Sequence, residues 1–134
     1  MKSSSFKLTV TIEAKPKDVF AALTDSKQIA QWSGQKGKVT SKVGGKFEMF
    51  DGWVKGTVVE FKPEKTLAYS WLPGDWPEGE EESIVRYSFL PVKGGTKVVL
   101  EHSNIPSESE KKSHKSGWKD FVFDQIKAHF SNRR

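Results

Sequence analysis

The chain has 134 residues, a formal net charge of +5 at pH 7 and 35% hydrophobic residues, including five tryptophans and nine phenylalanines. This length suits a single domain over residues 1–134 with one hydrophobic core. The absence of cysteine excludes disulfides, thiolate nucleophiles and zinc–cysteine sites. The sequence shows no signal core and no apolar run that could span a membrane, so we expect a soluble, cytoplasmic protein.

The first third of the chain predicts one strand followed by two short helices. Residues 6–12 alternate between apolar and polar side chains, as a strand with one buried face does. Pro16 suits the first turn of a helix, because its fixed φ is helical and its missing N–H needs no partner there. Ser26 is placed to cap a second helix, which carries Ile29 and Trp32.

Five or six further strands are expected before the last helix. The clearest alternating segments cover residues 47–50, 53–61, 66–71, 85–89 and 98–102. Asp51–Gly52 is a strong hairpin signal between the first two of these segments. The prolines at 73 and 77 make the stretch around them a loop. The order of elements predicts an antiparallel α+β domain with the last helix packed on a curved sheet.

The C-terminal segment has the pattern of one long amphipathic helix. Ser107 and Glu110 have the spacing of a capping box. Apolar side chains recur at helical spacing at Trp118, Phe121, Val122, Ile126, His129 and Phe130. The strands must cover this broad apolar stripe, and a pocket is expected where the side chains of the sheet and of the helix leave space between them. Gly117 lies inside the helix, where it would allow either close approach to the sheet or a bend beside Trp118.

The order and spacing of glycines, prolines and tryptophans resemble those of a known family. The series is Gly44-Gly45-x-Phe47, Gly52, Gly56, Pro63-Glu64-Lys65-x-Leu67, Trp71, Trp76-Pro77-Glu78-Gly79, Ile105-Pro106 and Gly117-Trp118. It resembles the C-terminal domain of the activator of heat shock protein 90 ATPase, a branch of the START-like, or SRPBCC, superfamily. The resemblance runs from Phe6 to Phe130.

The resemblance implies a helix-grip fold of the birch-pollen-allergen type. Such a fold has a curved antiparallel sheet around a long C-terminal helix, two short helices after the first strand, and a cavity between sheet and helix. Many members bind lipids, sterols or polyketides, and some are enzymes. In the chaperone activator this domain contacts the chaperone, and much of the activation depends on a separate N-terminal domain, which we expect this chain to lack.

Three histidines are the candidate polar centres of such a cavity. His102 follows Val98 and Leu100 at period two, so it points to the apolar side of its strand. It is either a polar anchor or base inside a pocket, or a core-edge histidine that bonds a backbone carbonyl, which is the simpler interpretation. His114 lies among lysines, which predicts a solvated helix face. His129 lies near the last helical turn, where a cation suits the helix dipole.

Motifs for catalysis or cofactor binding are missing from the sequence. No two histidines have the spacing of metal ligands, and neither double glycine is part of a phosphate-binding loop. There is no Gly-x-Ser-x-Gly elbow around a nucleophile. We therefore predict a protein without enzymatic activity, metal or cofactor.

Aromatic side chains supply the candidate binding site, since small-molecule pockets are mostly apolar with a few placed polar groups. We predict that the cavity binds an apolar or amphipathic small molecule. The predicted lining residues are Trp32, Phe47, Tyr69, Trp71, Tyr87, Phe89, His102, Trp118, Phe121 and Val122. In the resembling fold, Trp32 would stand near the entrance. The alternative for each ring is simple core packing.

Two alternative functions stay open. A chaperone-binding module would dock through the Trp76–Pro77 loop or through the basic face of the long helix. The lysines of that face are Lys111, Lys112, Lys115 and Lys119. Because no nucleic-acid motif accompanies them, we interpret them as a solvated face rather than as a nucleic-acid site. A START-like enzyme would require His102 to line a cavity beside a carboxylate or a tyrosine.

Overall fold

The computed structural model describes residues 4–77 and 79–131, which form one antiparallel sheet and a set of helices packed on it. The strands of this part of the chain are β1 (Ser4–Ile12), β2 (Lys38–Val39), β3 (Lys46–Met49), β4 (Val54–Lys62), β5 (Thr66–Pro73), β6 (Ser83–Val92) and β7 (Gly95–Ile105). The helices are α1 (Pro16–Thr24), α2 (Ser26–Ser33), α3 (Glu108–Gly117) and α4 (Asp124–Ser131), and a π-helical segment, Trp118–Phe123, joins α3 to α4. None of the helices in the described ranges has the length and apolar character needed to cross a bilayer.

The sheet is a seven-stranded meander closed at one edge by the first strand. Its order is β1-β7-β6-β5-β4-β3-β2, and every neighbouring pair is antiparallel. Strands β2 to β7 therefore lie side by side in chain order, while β1 pairs with β7. The sheet curves around the C-terminal helix, with α1 and α2 following β1. The predicted α+β helix-grip fold is confirmed.

Side-chain caps begin two of the helices. At α3 the predicted cap is confirmed, because the Ser107 hydroxyl accepts a hydrogen bond from the Glu110 amide over 3.1 Å. At α2 the prediction is wrong by one residue. Asp25 is the cap, and its Oδ1 accepts from the Lys27 amide over 3.2 Å, while Ser26 is already the first helical residue. An aspartate carboxylate just before the first turn accepts a hydrogen bond from an otherwise unpaired backbone N–H, as a serine hydroxyl does.

The π-helical segment sets which side chains of the long helix face the sheet. Its wider turn buries Trp118, Val122 and Phe123 together and leaves Phe121 65% exposed. The expectation that Phe121 faces the strands is therefore wrong. The expectation that Gly117 allows close approach of the helix to the sheet is also wrong, because a Cβ there would meet only Phe121 Cδ2, at 3.9 Å. The change from α- to π-helical geometry starts at the next residue.

Candidate binding cleft

Much of the space between the sheet and the long helix is filled by aromatic rings. Phe47 stacks on Tyr69 with ring centroids 3.7 Å apart, and the hydroxyls of Tyr69 and Tyr87 share a hydrogen bond of 2.7 Å. Burial raises the pKa of both tyrosines, so both hydroxyls stay protonated. The predicted lining residues that lie in this packed core are Trp32, Phe47, Tyr69, Tyr87, Phe89 and His102. None of these six side chains lines the cleft described below.

Trp32 is part of this interior rather than of an entrance. Its indole N–H donates to the Ala22 carbonyl over 2.7 Å, and its ring is buried with the core. The hydrogen bond joins α2 to α1 and anchors the two short helices to each other. Trp32 therefore acts as a structural link here.

A solvent-open cleft of about 790 Å³ lies at one end of the core, between the long helix and the β3–β4 turn. Trp71 and Trp118 form its buried part. Phe50 and Trp53 approach from the β3–β4 turn, and Phe121 approaches from the helix. The structure thus brings four of the predicted lining residues to this cleft: Trp71, Trp118, Phe121 and Val122.

The rim of the cleft is polar, and its charged groups are acidic. Side chains with amide or hydroxyl groups line it at Ser33, Gln35, Ser113 and Gln125. Two carboxylates, Asp75 and Glu110, lie on the same rim. A second, smaller depression of about 370 Å³ lies on the outer face of the sheet and carries Lys7 and Arg86 beside Glu101. Apart from sharing the same sheet, this depression is separate from the cleft, and the two have no described lining residue in common.

His102 is fully buried behind the cleft and fully hydrogen-bonded. Trp118 Nε1 donates to its Nδ1 over 3.0 Å, so Nδ1 carries the lone pair and the proton is on Nε2. Nε2 then donates to Ser83 Oγ over 2.9 Å, and Ser83 donates to the Trp71 carbonyl over 2.6 Å. The expected direct bond from His102 to a backbone carbonyl is wrong, because Ser83 stands between them. Burial, and next the nearby His114, lower the pKa of His102 to about 3.

His114 lines the cleft, and the predicted solvated position is wrong because its side chain is only 8% exposed. Trp71 Nε1 donates to its Nε2 over 3.1 Å. Its Nδ1 lies 3.1 Å from the Glu110 carbonyl and 3.4 Å from Glu110 Oε1. Glu110 Oε1 also accepts from Trp76 Nε1 over 3.1 Å. One spacing signal was overlooked: His114 precedes Trp118 by four residues, which places both on one helix face.

These contacts limit what the two histidines can do chemically. A general base needs a lone pair that points at substrate, but in each ring the acceptor nitrogen already accepts an indole N–H. In the described part of the chain, the hydrogen-bond partners of His102 are Ser83 and Trp118 rather than a carboxylate, and its side chain has no contact with solvent. Among the described residues, no group of three or more His, Asp or Glu side chains is arranged to hold a metal ion.

Two cleft residues were absent from the predicted set, although the sequence contained a signal for them. Phe50 and Trp53 flank Asp51–Gly52, and their rings lie 6.2 Å apart in the turn after β3. Phe50 and Asp51 adopt positive φ values of 55° and 58°, which the turn requires. A hairpin places the residues on either side of its turn next to each other, so this ring pair was predictable from the turn signal.

Comparison with known proteins decides the family. Residues 13–131 match the model of the family described as Activator of Hsp90 ATPase homolog 1-like protein. The chain belongs to this family. The resemblance seen in the glycine, proline and tryptophan series is confirmed.

Individual members of the Hsp90 activator family are similar over nearly the whole chain. The activator of 90 kDa heat shock protein ATPase homolog 1 of Mus musculus is 29% identical over 132 residues, which are 97% of this chain and 38% of that protein. The chain thus spans well under half of that curated relative. The crystal structure of an HSP90 activator from Plasmodium falciparum has a TM-score of 0.85 and 31% identity, covering 95% of this chain and 96% of that one.

A bacterial structure supports the fold alone. The protein MLL2253 from Mesorhizobium loti superimposes with a TM-score of 0.84 at 24% identity, covering 98% of this chain and 99% of that chain. The helix-grip architecture is therefore shared with both a protozoan and a bacterial protein.

Proposed function

We propose that this chain binds an apolar or amphipathic small molecule in the aromatic cleft between its sheet and its long helix. The observation that carries the proposal is the cleft itself. It has about 790 Å³ of open volume and a floor of tryptophans, beside a core of buried aromatic rings. That volume falls within the range of sites for drug-sized ligands.

Exposed aromatic surface at the mouth supports the proposal. Trp53 is 40% exposed and Phe121 is 65% exposed, on opposite walls of the cleft. Water contact with such rings is unfavourable by roughly 25 cal/mol per Å² of apolar area. A ligand seated between the two walls would remove that area from water, which supplies a driving force for binding.

The proposal is one of binding without catalysis. The nitrogens of His102 and His114 are engaged by tryptophan, serine and glutamate groups. His114 therefore acts as part of the cleft wall, and His102 as part of the core behind it. A base that must first break a buried hydrogen bond is poorly suited to proton transfer. Apolar contact with the rings is the chemistry that this arrangement favours.

Gly117 allows a direct test of the cleft. Its missing side chain faces open space in the cleft, so Gly117→Leu places a branched side chain inside the binding volume. Ser116→Leu makes a similar change at the preceding, exposed position outside the cleft. The probe is N-phenylnaphthylamine, a neutral fluorophore whose emission rises in apolar sites.

We expect the unmodified protein and Ser116→Leu to bind the probe equally, and Gly117→Leu to bind it at least about tenfold more weakly, since a filled pocket cannot seat the ring. Native mass spectrometry of the gently purified protein would identify a co-purified ligand. Equal probe binding by all three proteins, or no binding by any, would contradict the proposal.

A second candidate function is contact with a 90 kDa heat shock protein. It is supported by the names of the mouse relative and of the Plasmodium falciparum structure, both of which are described as activators of that chaperone. The Trp76–Pro77 loop does not offer the exposed anchor that was expected, because Trp76 is only 8% exposed and bonded to Glu110. The basic helix face remains, with Lys112 and Lys115 exposed.

Charge reversal tests this second candidate without disturbing the core. Lys112→Glu with Lys115→Glu should abolish capture of purified chaperone if that face docks. Lys7→Glu with Lys97→Glu, on the exposed side of β1 and β7, changes the net charge equally and should have no effect. Equal capture by both double variants would exclude the helix face.

Single-domain organisation, cytoplasmic location and the absence of nucleic-acid binding stay predictions.

A further inference from the structure

The charge in the aromatic cleft has one sign. Asp75 and Glu110 lie on its rim, and none of the described residues that line it is a lysine or an arginine. This contrasts with the whole chain, whose net charge is +5. Lys119, which follows Trp118 in the chain, is paired with Asp124 over 2.9 Å and does not line the cleft.

One of the two carboxylates, Glu110, is held by the ring nitrogens of two aromatic side chains. Glu110 Oε1 is held by Trp76 Nε1 and lies 3.4 Å from His114 Nδ1. The His114 ring stacks beside Trp53, with centroids 6.3 Å apart and planes inclined by 25°. Trp53 keeps part of its surface open to solvent. A cation placed there would meet a fixed carboxylate and an indole face, and both attract positive charge.

We infer that the cleft selects small aromatic cations, ligands with a planar apolar body and a protonated amine, over neutral and anionic analogues. The inference rests on the proposed small-molecule function and names its ligand class. The apolar body would lie on the tryptophan floor, and the ammonium group would face the acidic rim. Fatty acids and other anionic amphiphiles would find no lysine or arginine among the described lining residues and would be repelled by both carboxylates.

Asp75 is better suited to a test by substitution than Glu110. It is exposed in the loop between β5 and β6, whereas Glu110 also holds Trp76 and His114. Asp75→Asn therefore removes a charge from the rim and leaves those contacts intact. Glu81→Gln removes a charge from an exposed position of the same loop that does not line the cleft, which makes it the matched control.

The experiment compares three probes that share one ring: naphthylmethylamine, naphthylmethanol and naphthoic acid. Affinities are measured by calorimetry at neutral pH and low salt, and tryptophan indole N–H signals in NMR spectra locate the site. We expect the amine to bind about fivefold more tightly than the alcohol, and the acid to bind most weakly. Asp75→Asn should reduce the preference for the amine by about threefold and leave the affinity for the alcohol unchanged. Glu81→Gln should change neither.

The failures of the two proposals are distinguishable. If the alcohol binds in the cleft but charge makes no difference, or if the acid binds best, the inference about cations is overturned while small-molecule binding stands. If none of the probes binds, both the proposed small-molecule binding and the inference about cations are overturned. If only purified chaperone binds and Phe121→Ala abolishes that binding, the cleft belongs to a protein partner, and the inference is overturned as well.

Discussion

Trp118 on the long helix donates its indole N–H to Nδ1 of His102 on β7 over 3.0 Å, in a part of the core that solvent does not reach. The bond ties helix to sheet and fixes the tautomer of the imidazole. The opposite nitrogen is then committed to Ser83. The polar groups behind the cleft therefore form one satisfied network, in which each member depends on the next.

Trp118→Phe is expected to destabilise the protein by about 1–3 kcal/mol beyond the effect of the smaller ring. The substitution keeps an aromatic ring but leaves the lone pair of His102 Nδ1 buried without a donor. Urea unfolding followed by circular dichroism measures the change. Trp53→Phe, at the partly exposed mouth of the cleft, is the control and should cost less than about 1 kcal/mol. Equal losses in both variants would contradict the role assigned to the indole N–H.

Acid is expected to weaken the fold through His102. Its pKa is about 3 in the folded protein against an ordinary value of 6.5, so below about pH 6.5 the unfolded chain binds a proton that the folded protein does not. The free energy of unfolding should therefore fall as the pH drops from about 6.5 towards 3, by up to about 1.4 kcal/mol per pH unit, and should be insensitive to this group above that window.

Urea unfolding between about pH 7 and pH 5 tests the pH dependence, because carboxylates contribute little in that range. His102→Gln cannot titrate there and should show a shallower slope, even if its absolute stability is lower. Identical slopes in the two proteins would assign the acid sensitivity to other groups.

The hydroxyls of Tyr69 and Tyr87 should show strong coupling. Tyr69→Phe or Tyr87→Phe alone leaves the other buried hydroxyl without its partner and should cost about 1–3 kcal/mol. The double variant removes both polar groups and should be more stable than either single variant, since no unpaired hydroxyl remains. Thermal and urea unfolding of the four proteins complete the cycle. Additive losses would mean that the bond does not couple the two residues.

Two glycine substitutions should have opposite effects on stability. At Gly117 an added Cβ meets only Phe121 Cδ2 at 3.9 Å, so Gly117→Ala should stabilise the helix by up to about 1 kcal/mol. At Gly56 an added Cβ would lie 1.9 Å from the Ser70 carbonyl oxygen, and β4 would have to move away from β5. Gly56→Ala should cost about 3 kcal/mol or more. Urea unfolding midpoints that move in the same direction for both variants would contradict the packing described at one of the two glycines.

Local patterns predicted much of the fold because their causes are local. Period-two alternation identified the inner faces of β5 and β6, since successive strand residues point to opposite sides wherever the strand lies. The capping serine of the long helix was predicted by its spacing to Glu110. The prediction for His114 failed because its neighbours in sequence are lysines. Its burial depends on Trp71 and Trp76, which are distant along the chain.

By itself, the sequence determined the class of fold, the order of its elements, the aromatic character of its core and its family. Hydrophobic periodicity, turn chemistry and capping act over a few residues, so they can be recognised without coordinates. Only the tertiary structure decided which rings fill the core and which line a cleft, because a π-helical turn rotates part of the stripe and leaves Phe121 at the mouth. It also decided the state of both histidines, whose partners come from other elements of the fold.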